Sequence, residues 1–383
     1  MRVRAIRGIV LSGIAAVCLL VAGLVIVPAV SPATGAQVAD LLRAVIGVQP
    51  VSQIESVSDR LRDDINRYRF SSSTPQPQIA LSKQNPADAQ GSGDQSAAAP
   101  PKTLKGGPLE PATTVLTADP QLGWQAFGPA PAGDPLMART LVLVDPSRSY
   151  AGVALVRVDL SKTQLHMMPG TIEPGHPSGI GKIIPDLGTI PPADRGALVA
   201  AFNGGFKGVH GHFGMMVDGL TLLKPIDGMA TVAIYKDGSV QMGAWNQDIS
   251  PSPDMVALRQ NCPPLIDGGK LNPALSTDAR KAWGFTNNSD ITWRTALGIT
   301  QDRRYLIYAV GNGTDVRFLA EALLKAGAYE AMQLDINQYY AQFSAYSQVN
   351  GQPVGEHLVD QMENRPQQFL TPAVRDFFYI TVR

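Results

Sequence analysis

The stretch that decides the fold covers residues 294–336 and reads RTALGITQDRRYLIYAVGNGTDVRFLAEALLKAGAYEAMQLDI. Its first half holds two apolar runs separated by a polar turn, which is the pattern of β-strands. Thr314 or Asp315 then provides an N-cap, apolar residues recur at helical spacing, and Gly327 is a C-terminal stop, so we predict a helix there. The apolar run that follows ends at Asp335 and predicts another strand. Strands with an intervening helix indicate a mixed α+β domain.

The same strand signals recur along the rest of the chain after residue 114. They include residues 139–145, 152–160 and 197–203, two runs that flank the Asp237-Gly238 turn, and the alternating residues 377–383. We therefore predict that residues 115–383 form a single globular domain of the mixed α+β class, dominated by strands with a few helices. A domain of this length is large but within the usual range for one core.

Composition excludes several classes of function. The chain has 383 residues, with 32 Lys and Arg against 32 Asp and Glu, so it has no basic excess for binding nucleic acid. Only 17% of the residues are charged, while 37 glycines and 30 prolines favour a β-rich fold with many loops. Two cysteines are too few for a zinc site of four thiolates, and no metal or cofactor is predicted.

The N-terminal residues 1–36 have the pattern of a membrane signal-anchor. Three arginines precede an uncharged apolar run from Ile9 to Val30, which is long enough to cross a hydrocarbon core of about 30 Å as a transmembrane helix. The positive-inside rule then places the N-terminus in the cytoplasm and the globular domain outside it, in a single-pass protein. The alternative is a signal peptide cleaved after Ala36, which would make the protein secreted.

Two further segments separate this anchor from the globular domain. Residues 37–70 are predicted to form an amphipathic juxtamembrane helix, because apolar residues recur every three or four positions between 51 and 68. These residues are Val51, Ile54, Val57, Leu61, Ile65 and Tyr68. The helix is either a stalk or a site of self-association through residues 51–68, and it is short for a coiled coil. Residues 71–114 are rich in Pro, Ser, Ala and Gln, which predicts a disordered linker.

The tripeptide Asn203-Gly204-Gly205 ends an apolar strand and is the first candidate for a functional site. Glycines at this position allow either a tight turn or a close approach of the main chain to a ligand. His210 and His212 follow on a glycine-flanked loop, where residues two apart share a face if the segment is extended. They are either solvated loop residues or two ligands of a metal, and the spacing identifies no third ligand.

Two charged residues lie in otherwise apolar segments of the quoted stretch. Arg294 requires an anionic or hydrogen-bonding partner, since an unpaired buried charge is costly, and its planar guanidinium suits carboxylate or phosphate. Asp335 ends a strand, where a carboxylate can take part in proton transfer. We expect the two side chains to face one another. A structural ion pair for Arg294 and a capping role for Asp335 are the alternatives.

The order of these segments resembles the phosphodiester glycosidase domain family. AFNGGF and GMMVDG are followed by NCPPLIDGG, then by RTALGITQDRRYLIYAVGNG, the helix FLAEALLKAGA and the strand EAMQLDI. The resemblance covers residues 142–383 and implies hydrolysis of the glycosidic bond between a sugar and a phosphodiester. Its substrate would be a carbohydrate or glycosyl phosphate. The implied active-site groups are Asn203, Gly204, Gly205, Arg294 and Asp335.

One segment departs from the family pattern. The family continues its Leu-Asp pair with a run of glycines and a serine, whereas this chain has Ile336, Asn337 and Gln338. Asn337 and Gln338 would offer polar contacts to a sugar, and Tyr339 and Tyr340 would offer stacking contacts. The altered run is equally compatible with loss of activity.

A glycosidase normally uses two carboxylates, and the sequence does not identify the second one by spacing. Asp218 and Asp267 are the candidates, although each precedes a glycine and is first of all typical of a turn.

Two functions therefore follow from the sequence. The first is an extracytoplasmic hydrolase that cleaves a sugar from a glycosyl phosphodiester in cell-envelope or extracellular glycan, as in the exopolysaccharide-related bacterial members of the family. The second is a catalytically inactive protein of the same fold that binds glycan or acts as an envelope scaffold. A metal-dependent hydrolase that uses His210 and His212 is a third hypothesis.

Overall fold

The computed structural model describes residues 32–71, 77–82, 122–131, 135–177, 179–276 and 291–383. Its helices are α1 (Pro32–Ile46), α2 (Val48–Arg69) and α3 (Val316–Lys325). Its strands are β1 (Gln125–Phe127), β2 (Met137–Val142), β3 (Gly152–Asp159), β4 (Thr163–Met168), β5 (Leu198–Asn203), β6 (Met215–Val217), β7 (Leu220–Leu223), β8 (Ala230–Tyr235), β9 (Val240–Ala244), β10 (Met255–Gln260), β11 (Ile266–Asp267), β12 (Lys270–Leu271), β13 (Thr292–Ile299), β14 (Tyr305–Thr314), β15 (Glu330–Gln333), β16 (Phe343–Val349), β17 (Gln352–His357) and β18 (Phe377–Val382).

The strands form three sheets, and neighbouring strands run antiparallel. The first sheet has eight strands in the order β1-β2-β3-β14-β13-β15-β11-β12. The other two have five strands each, in the orders β7-β6-β10-β8-β9 and β17-β16-β5-β18-β4. The fold is thus a mostly sheet domain with few helices, and the predicted dominance of strands is confirmed.

The eight-stranded sheet is buried on both faces at its centre. Successive side chains of a strand point to opposite faces, so neighbours in β13 belong to different cores. Leu297 lies in a large core shared with Phe202 of the five-stranded sheet that contains β5. Ala296 lies in a second core with Leu319 of α3. This burial on both faces explains why the strands of the quoted stretch are apolar almost throughout.

The quoted stretch forms β13, β14, α3 and β15, and the predicted helix is confirmed. Asp315 is the N-cap of α3 and accepts a hydrogen bond from an amide of the first turn at 2.8 Å. The chain leaves the helix through Gly327, whose φ of +91° favours glycine. β15 then pairs with β13, with Gln333 opposite Ala296. This pairing places Asp335, which follows β15, beside the beginning of β13.

Residues 37–70, predicted as one helix, lie in two. Gly47 separates α1 from α2 and has a φ of +87°, which interrupts the helical backbone. The two helices pack as a hairpin through Ala39 and Val51, which are almost fully buried. The periodicity predicts helical structure correctly, but a single glycine inside a helical pattern is not by itself a reliable sign of a break.

The hairpin is joined to the globular domain by charged side chains. The Asp63 carboxylate of α2 accepts two hydrogen bonds from the Arg148 guanidinium, at 2.9 and 2.7 Å. In α1, Asp40 forms an ion pair with Lys207. Because Lys207 follows the Asn203-Gly204-Gly205 loop by two residues, α1 lies next to that loop.

The predicted transmembrane segment, residues 9–30, lies outside the described residues. Among the residues that are described, no helix is both long and apolar enough to cross a bilayer. Most of the predicted linker, residues 71–114, also lies outside them. Residues 77–82 of that segment pack on the domain, where Ile79 is fully buried and the Ser82 amide donates to the Leu358 carbonyl at 3.0 Å. Composition alone did not predict this packing.

Candidate active site

Asn203, at the end of β5, binds neighbouring strands and does not project from the loop. Its amide nitrogen donates to the Thr295 hydroxyl at 2.9 Å. Its amide oxygen accepts from the Tyr308 hydroxyl at 2.9 Å and from the Gln342 backbone amide at 3.2 Å. The side chain is therefore satisfied on both ends, and it fixes β5 against β13 and β14. Its place in the fold is that of a positioning residue.

The two glycines after Asn203 make room for a buried ion pair. A Cβ atom on Gly204 would lie 2.1 Å from a carboxylate oxygen of Asp376. A Cβ atom on Gly205 would lie 2.9 Å from the centre of the Arg259 guanidinium. Both distances are shorter than non-bonded atoms allow. Close packing of the protein's own side chains is thus the reason for glycine at these two positions.

Arg259 and Asp376 form an ion pair with no solvent exposure of either side chain. The contact is bidentate, with Nε to Oδ2 at 2.8 Å and an amino nitrogen to Oδ1 at 3.2 Å. Arg259 also donates to the Phe206 carbonyl at 2.6 Å, and Asp376 accepts from the Gly205 amide at 3.1 Å. Such a satisfied network holds the Asn203-Gly204-Gly205 loop in one conformation.

Asp335 lies against this loop and is paired with Arg375. The Asp335 amide donates to the Gly204 carbonyl at 3.1 Å, which fixes the backbone. The carboxylate accepts from the Asn337 amide at 3.1 Å through Oδ1 and from the Arg375 guanidinium through Oδ2. Arg375 also donates to the Gly205 carbonyl at 3.2 Å. The structure therefore brings Asn203, the two glycines and Asp335 together, with Arg375 between them.

The environment of Arg375 is strongly charged. Burial alone lowers the pKa of the Arg375 guanidinium, but the carboxylates of Asp335 and Asp376 raise it, as do Tyr340 and Glu173, and the net shift is upward. The guanidinium lies 4.6 Å from the centre of the Tyr340 ring. Its Nε atom is buried and has no hydrogen-bond partner among the described residues. Arg375 is thus a permanent cation whose Nε donor is not used by any described residue.

Arg294, expected to face Asp335, is not the arginine that binds its carboxylate. It is fully buried in β13 next to Thr295, whose hydroxyl donates to the Asp335 carbonyl. Neighbouring side chains of a strand point to opposite faces, so Arg294 points to the face that carries α3. There burial raises the pKa of the Asp315 carboxyl, and the charge of Arg294 partly offsets that rise. The expectation was wrong because the sequence does not show which face each residue takes.

Asn337 and Gln338 lie in the turn after Asp335. The Asn337 side chain accepts from the Tyr339 amide at 2.9 Å, so it shapes the turn. The Gln338 amide donates to Glu363 at 3.0 Å at the exposed surface. Ile336 packs against the second core. The residues that replace the family's glycines are therefore used mainly for local structure.

His210 and His212, the histidines of the metal hypothesis, follow the loop in different surroundings. Burial, together with the positive charges of Arg43, Arg375 and Lys207, lowers the pKa of His210 to about 3, so the imidazole is neutral. His212 is exposed and has a φ of +52°. Within the described ranges, no group of three or more His, Cys, Asp or Glu side chains is arranged to hold a metal.

Asp218 and Asp267, the candidates for a second carboxylate, lie in exposed turns. Asp218 connects β6 to β7 with a φ of +51°. Asp267 lies in the turn between β11 and β12, where its charge acts on Glu330. The turn chemistry of the Asp-Gly steps is thus sufficient to explain both residues.

Replacing Glu330 with glutamine is expected to stabilise the protein at pH 8 much more than at pH 5. Burial, opposed by the Gly268 amide and assisted by the charges of Asp267 and Asp248, raises the pKa of Glu330 from 4.5 to about 7. Because the folded-state pKa lies above the unfolded-state value, stability is lost as the pH rises through this interval. We expect a gain of about 1–3 kcal/mol at pH 8. Urea unfolding at both pH values measures this gain in stability. An equal gain at pH 5 and pH 8 would contradict a raised pKa of Glu330.

The geometry of this loop can be compared with known proteins. Residues 196–335 match the phosphodiester glycosidase family. The matched segment begins just before β5 and ends at Asp335, so it contains Asn203 as well. The resemblance found in the sequence is confirmed for this segment. Arg375 and Asp376 lie beyond it.

Several solved structures are similar to the chain at low identity, and two of them follow. One is the catalytic domain of zebrafish N-acetylglucosamine-1-phosphodiester alpha-N-acetylglucosaminidase, auto-inhibited by its pro-peptide: 18% identity, 68% of this chain and 88% of that chain covered, TM-score 0.44. The other is a hypothetical protein from Synechocystis, which is 12% identical with a TM-score of 0.39. The match covers 64% of this chain and 62% of that chain. A search of curated proteins found no match.

Arg375, Asp376 and Arg259 were missed by the sequence analysis. Arg259 interrupts the apolar strand β10 in the same way that Arg294 interrupts β13. Arg375 and Asp376 directly precede the apolar strand β18. The signal that could have identified them is a charged residue inside or directly beside an apolar run. In the quoted stretch, the same signal points to Arg294 and Asp335.

Proposed function

We propose that the chain is a hydrolase of the phosphodiester glycosidase type, which cleaves a sugar from a glycosyl phosphodiester. The observation that carries this proposal is the Asp335–Arg375 pair, held against the Asn203-Gly204-Gly205 loop in and next to the family-matched segment. It joins an anionic and a cationic group at one end of β15. A carboxylate can stabilise positive charge on the sugar, and a guanidinium can bind the phosphate.

Each group has a separate task in the proposed reaction. Breaking the bond between the anomeric carbon and the phosphate oxygen places positive charge on the sugar, and the Asp335 carboxylate stabilises that charge. The leaving group is a phosphate, for which the planar guanidinium of Arg375 is a suitable ligand. The partnerless Nε of Arg375 supplies a donor that no described residue uses. Tyr340, against the guanidinium, adds an aromatic face beside the site.

A direct assay tests this function. The full chain is incubated with a series of glycosyl phosphodiesters, and released sugar is measured alongside the phosphate monoester. We expect both products in equal amounts. Substrate that stays intact across the series, with a folded protein, would contradict the hydrolase assignment.

The second candidate function is a glycan-binding or envelope-scaffold protein without activity. It is favoured by the low exposure of Asp335, 6%, and by Ile336, which packs inward where the family has glycine. Titration calorimetry with the same phosphodiesters separates the two functions. Binding without product formation would favour the scaffold, and binding followed by turnover would favour the enzyme.

We place the protein at the cell envelope, in an extracytoplasmic position and anchored by the apolar run of residues 9–30. This proposal is supported by the arginines before that run and by the positive-inside rule. The substrate would then be a cell-envelope or extracellular glycan, as in exopolysaccharide-related members of the family. Protease digestion of intact cells and of lysed cells tests it, since an extracytoplasmic domain is cleaved in both.

Self-association is proposed for the outer face of α2. Val57, Leu61 and Ile65 recur every four residues and are 60%, 52% and 57% exposed, and Tyr68 continues the stripe at 85%. Val51, at the other end of the predicted interface, is buried in the hairpin instead. Confinement of anchored chains to one membrane raises their effective concentration, so a short stripe is sufficient for pairing.

Leu61→Glu is expected to abolish self-association of the full chain in detergent. A carboxylate in the middle of the stripe would have to be desolvated on pairing, at a cost of several kcal/mol. Sedimentation of wild type and variant measures the change. Val45→Glu, at a position of α1 that is 80% exposed, is the matched control and should leave the association unchanged. Equal association of all three proteins would contradict the proposed interface.

A further inference from the structure

Glycoside hydrolysis normally requires a second carboxylate, and the structure offers few near Arg375. Asp376 is fully buried and occupied by Arg259 and the Gly205 amide. Asp40 is paired with both Lys207 and Arg43. These two carboxylates have cationic partners and are not available for proton transfer. The remaining carboxylate that acts on Arg375 is that of Glu173.

The backbone fixes Glu173 next to Arg375. The Glu173 amide donates to the Val374 carbonyl at 3.0 Å, and the Thr171 amide donates to the Ala373 carbonyl at 2.9 Å. The segment that carries Glu173 therefore runs alongside the residues that lead into Arg375. Arg375 in turn binds Asp335. Asp335 is thus held by a direct contact with the guanidinium, whereas Glu173 is held near it by its backbone and acts on it by charge alone.

The loop after Asn203 closes onto the Glu173 side chain. The Gly208 amide donates to Oε2 of Glu173 at 2.9 Å. A Cβ atom on Gly208 would lie 1.9 Å from the Pro174 carbonyl oxygen, so only glycine permits this contact. Glu173 is half-buried, and its Oε1 has no hydrogen bond or ion pair among the described residues. One carboxylate oxygen thus orients the side chain, while the other is free.

We propose that Glu173 is the second catalytic carboxylate of this site. The inference rests on the proposed function, because it assigns a partner to Asp335 in that same reaction. As the bond from the anomeric carbon to the phosphate oxygen breaks, its electron pair leaves with the phosphate. The oxygen of a water molecule bonds to the anomeric carbon, and Glu173 takes a proton from that water. The proton then passes to solvent or to the phosphate monoester, which restores the carboxylate.

Glu173→Gln in the full chain tests this role. Glutamine keeps an oxygen that can accept from the Gly208 amide, so the loop contact and the fold are retained. We expect kcat to fall by about 10²–10⁴-fold with little change in KM, which is the usual contribution of a general base. Glu321→Gln is the matched control, since Glu321 is a surface residue of α3 paired with Arg317, and it should keep wild-type kinetics.

Chemical rescue separates catalysis from a structural role. Glu173→Ala removes the carboxylate and leaves space for a small anion. Added formate should therefore restore turnover to this variant, and it should leave the turnover of the wild type unchanged. If the wild type releases sugar and the Glu173→Gln variant has the same kcat, the role of Glu173 is overturned and the proposed function is not. Reduced activity of Glu173→Ala that formate does not restore would also overturn it. A wild type that releases no sugar would instead overturn the proposed function.

Discussion

Replacement of Asp376 with alanine is expected to lower the free energy of unfolding by about 3–5 kcal/mol, because it leaves the Arg259 guanidinium buried without its counter-charge. Both side chains of the pair have no solvent exposure. The same substitution removes the acceptor of the Gly205 amide. The loss of charge and the loss of the loop contact act in the same direction. Urea unfolding at neutral pH measures the difference.

Two controls make this result specific to the buried pair. Asp254→Ala breaks the ion pair with Lys236, whose side chains are 62% and 70% exposed, and it should cost about 0–1 kcal/mol. The double variant Arg259→Met with Asp376→Leu removes both charges and should recover much of the stability lost by Asp376→Ala. Equal effects of Asp376→Ala and Asp254→Ala would contradict the importance of the buried pair for the fold.

Asp335→Asn is expected to lower kcat/KM for a glycosyl phosphodiester by about 10²–10³-fold, as for the loss of one group that stabilises transition-state charge. Asparagine has the same shape and still offers an oxygen to the Asn337 amide. The variant therefore removes the charge beside Arg375 with little change in side-chain shape. Steady-state kinetics and a thermal unfolding curve measure the two properties separately.

The control for Asp335→Asn is Asp237→Asn. Asp237 lies in an exposed turn, where its carboxylate accepts from the Ser239 amide at 2.8 Å, and asparagine can make the same bond. We expect wild-type kinetics for this control. If Asp335→Asn also has wild-type kinetics, Asp335 is not part of the reaction.

The quoted stretch shows what the sequence can predict. The α3 helix follows from local features: the Asp315 cap, the apolar spacing and Gly327. The strands around it follow from their apolar runs. The pairing of β15 with β13 instead of its sequence neighbour β14 does not follow, because it depends on contacts between distant segments. Asp335 owes its position beside the Asn203 loop to that pairing.

The expectation that Arg294 faces Asp335 was wrong for a related reason. Arg294 and Thr295 are neighbours on β13, and the strand's apolar pattern on both faces does not reveal which of them points to Asp335. The structure gives that direction to Thr295. The guanidinium on Asp335 comes from Arg375, forty positions along the chain. Arg375 also lies outside the segment that matches the family.

The glycines after Asn203 were interpreted as a turn or as an approach route for a ligand. They instead accommodate Arg259 and Asp376, and the Gly205–Asp376 contact spans 171 positions. A sequence pattern of glycines reports that space is needed, but it does not report which group occupies the space. The same holds for Gly208, which admits the contact with Glu173.

The central claim is that the Asp335 site cleaves the bond between a sugar and a phosphodiester. The most direct test is hydrolysis of a glycosyl phosphodiester in water labelled with heavy oxygen. Mass spectrometry of the phosphate monoester then shows whether the label has entered it. Attack at the anomeric carbon predicts a phosphate product without label from wild type and almost no product from Asp335→Asn. Label in the phosphate would place the attack on phosphorus, and it would contradict the account.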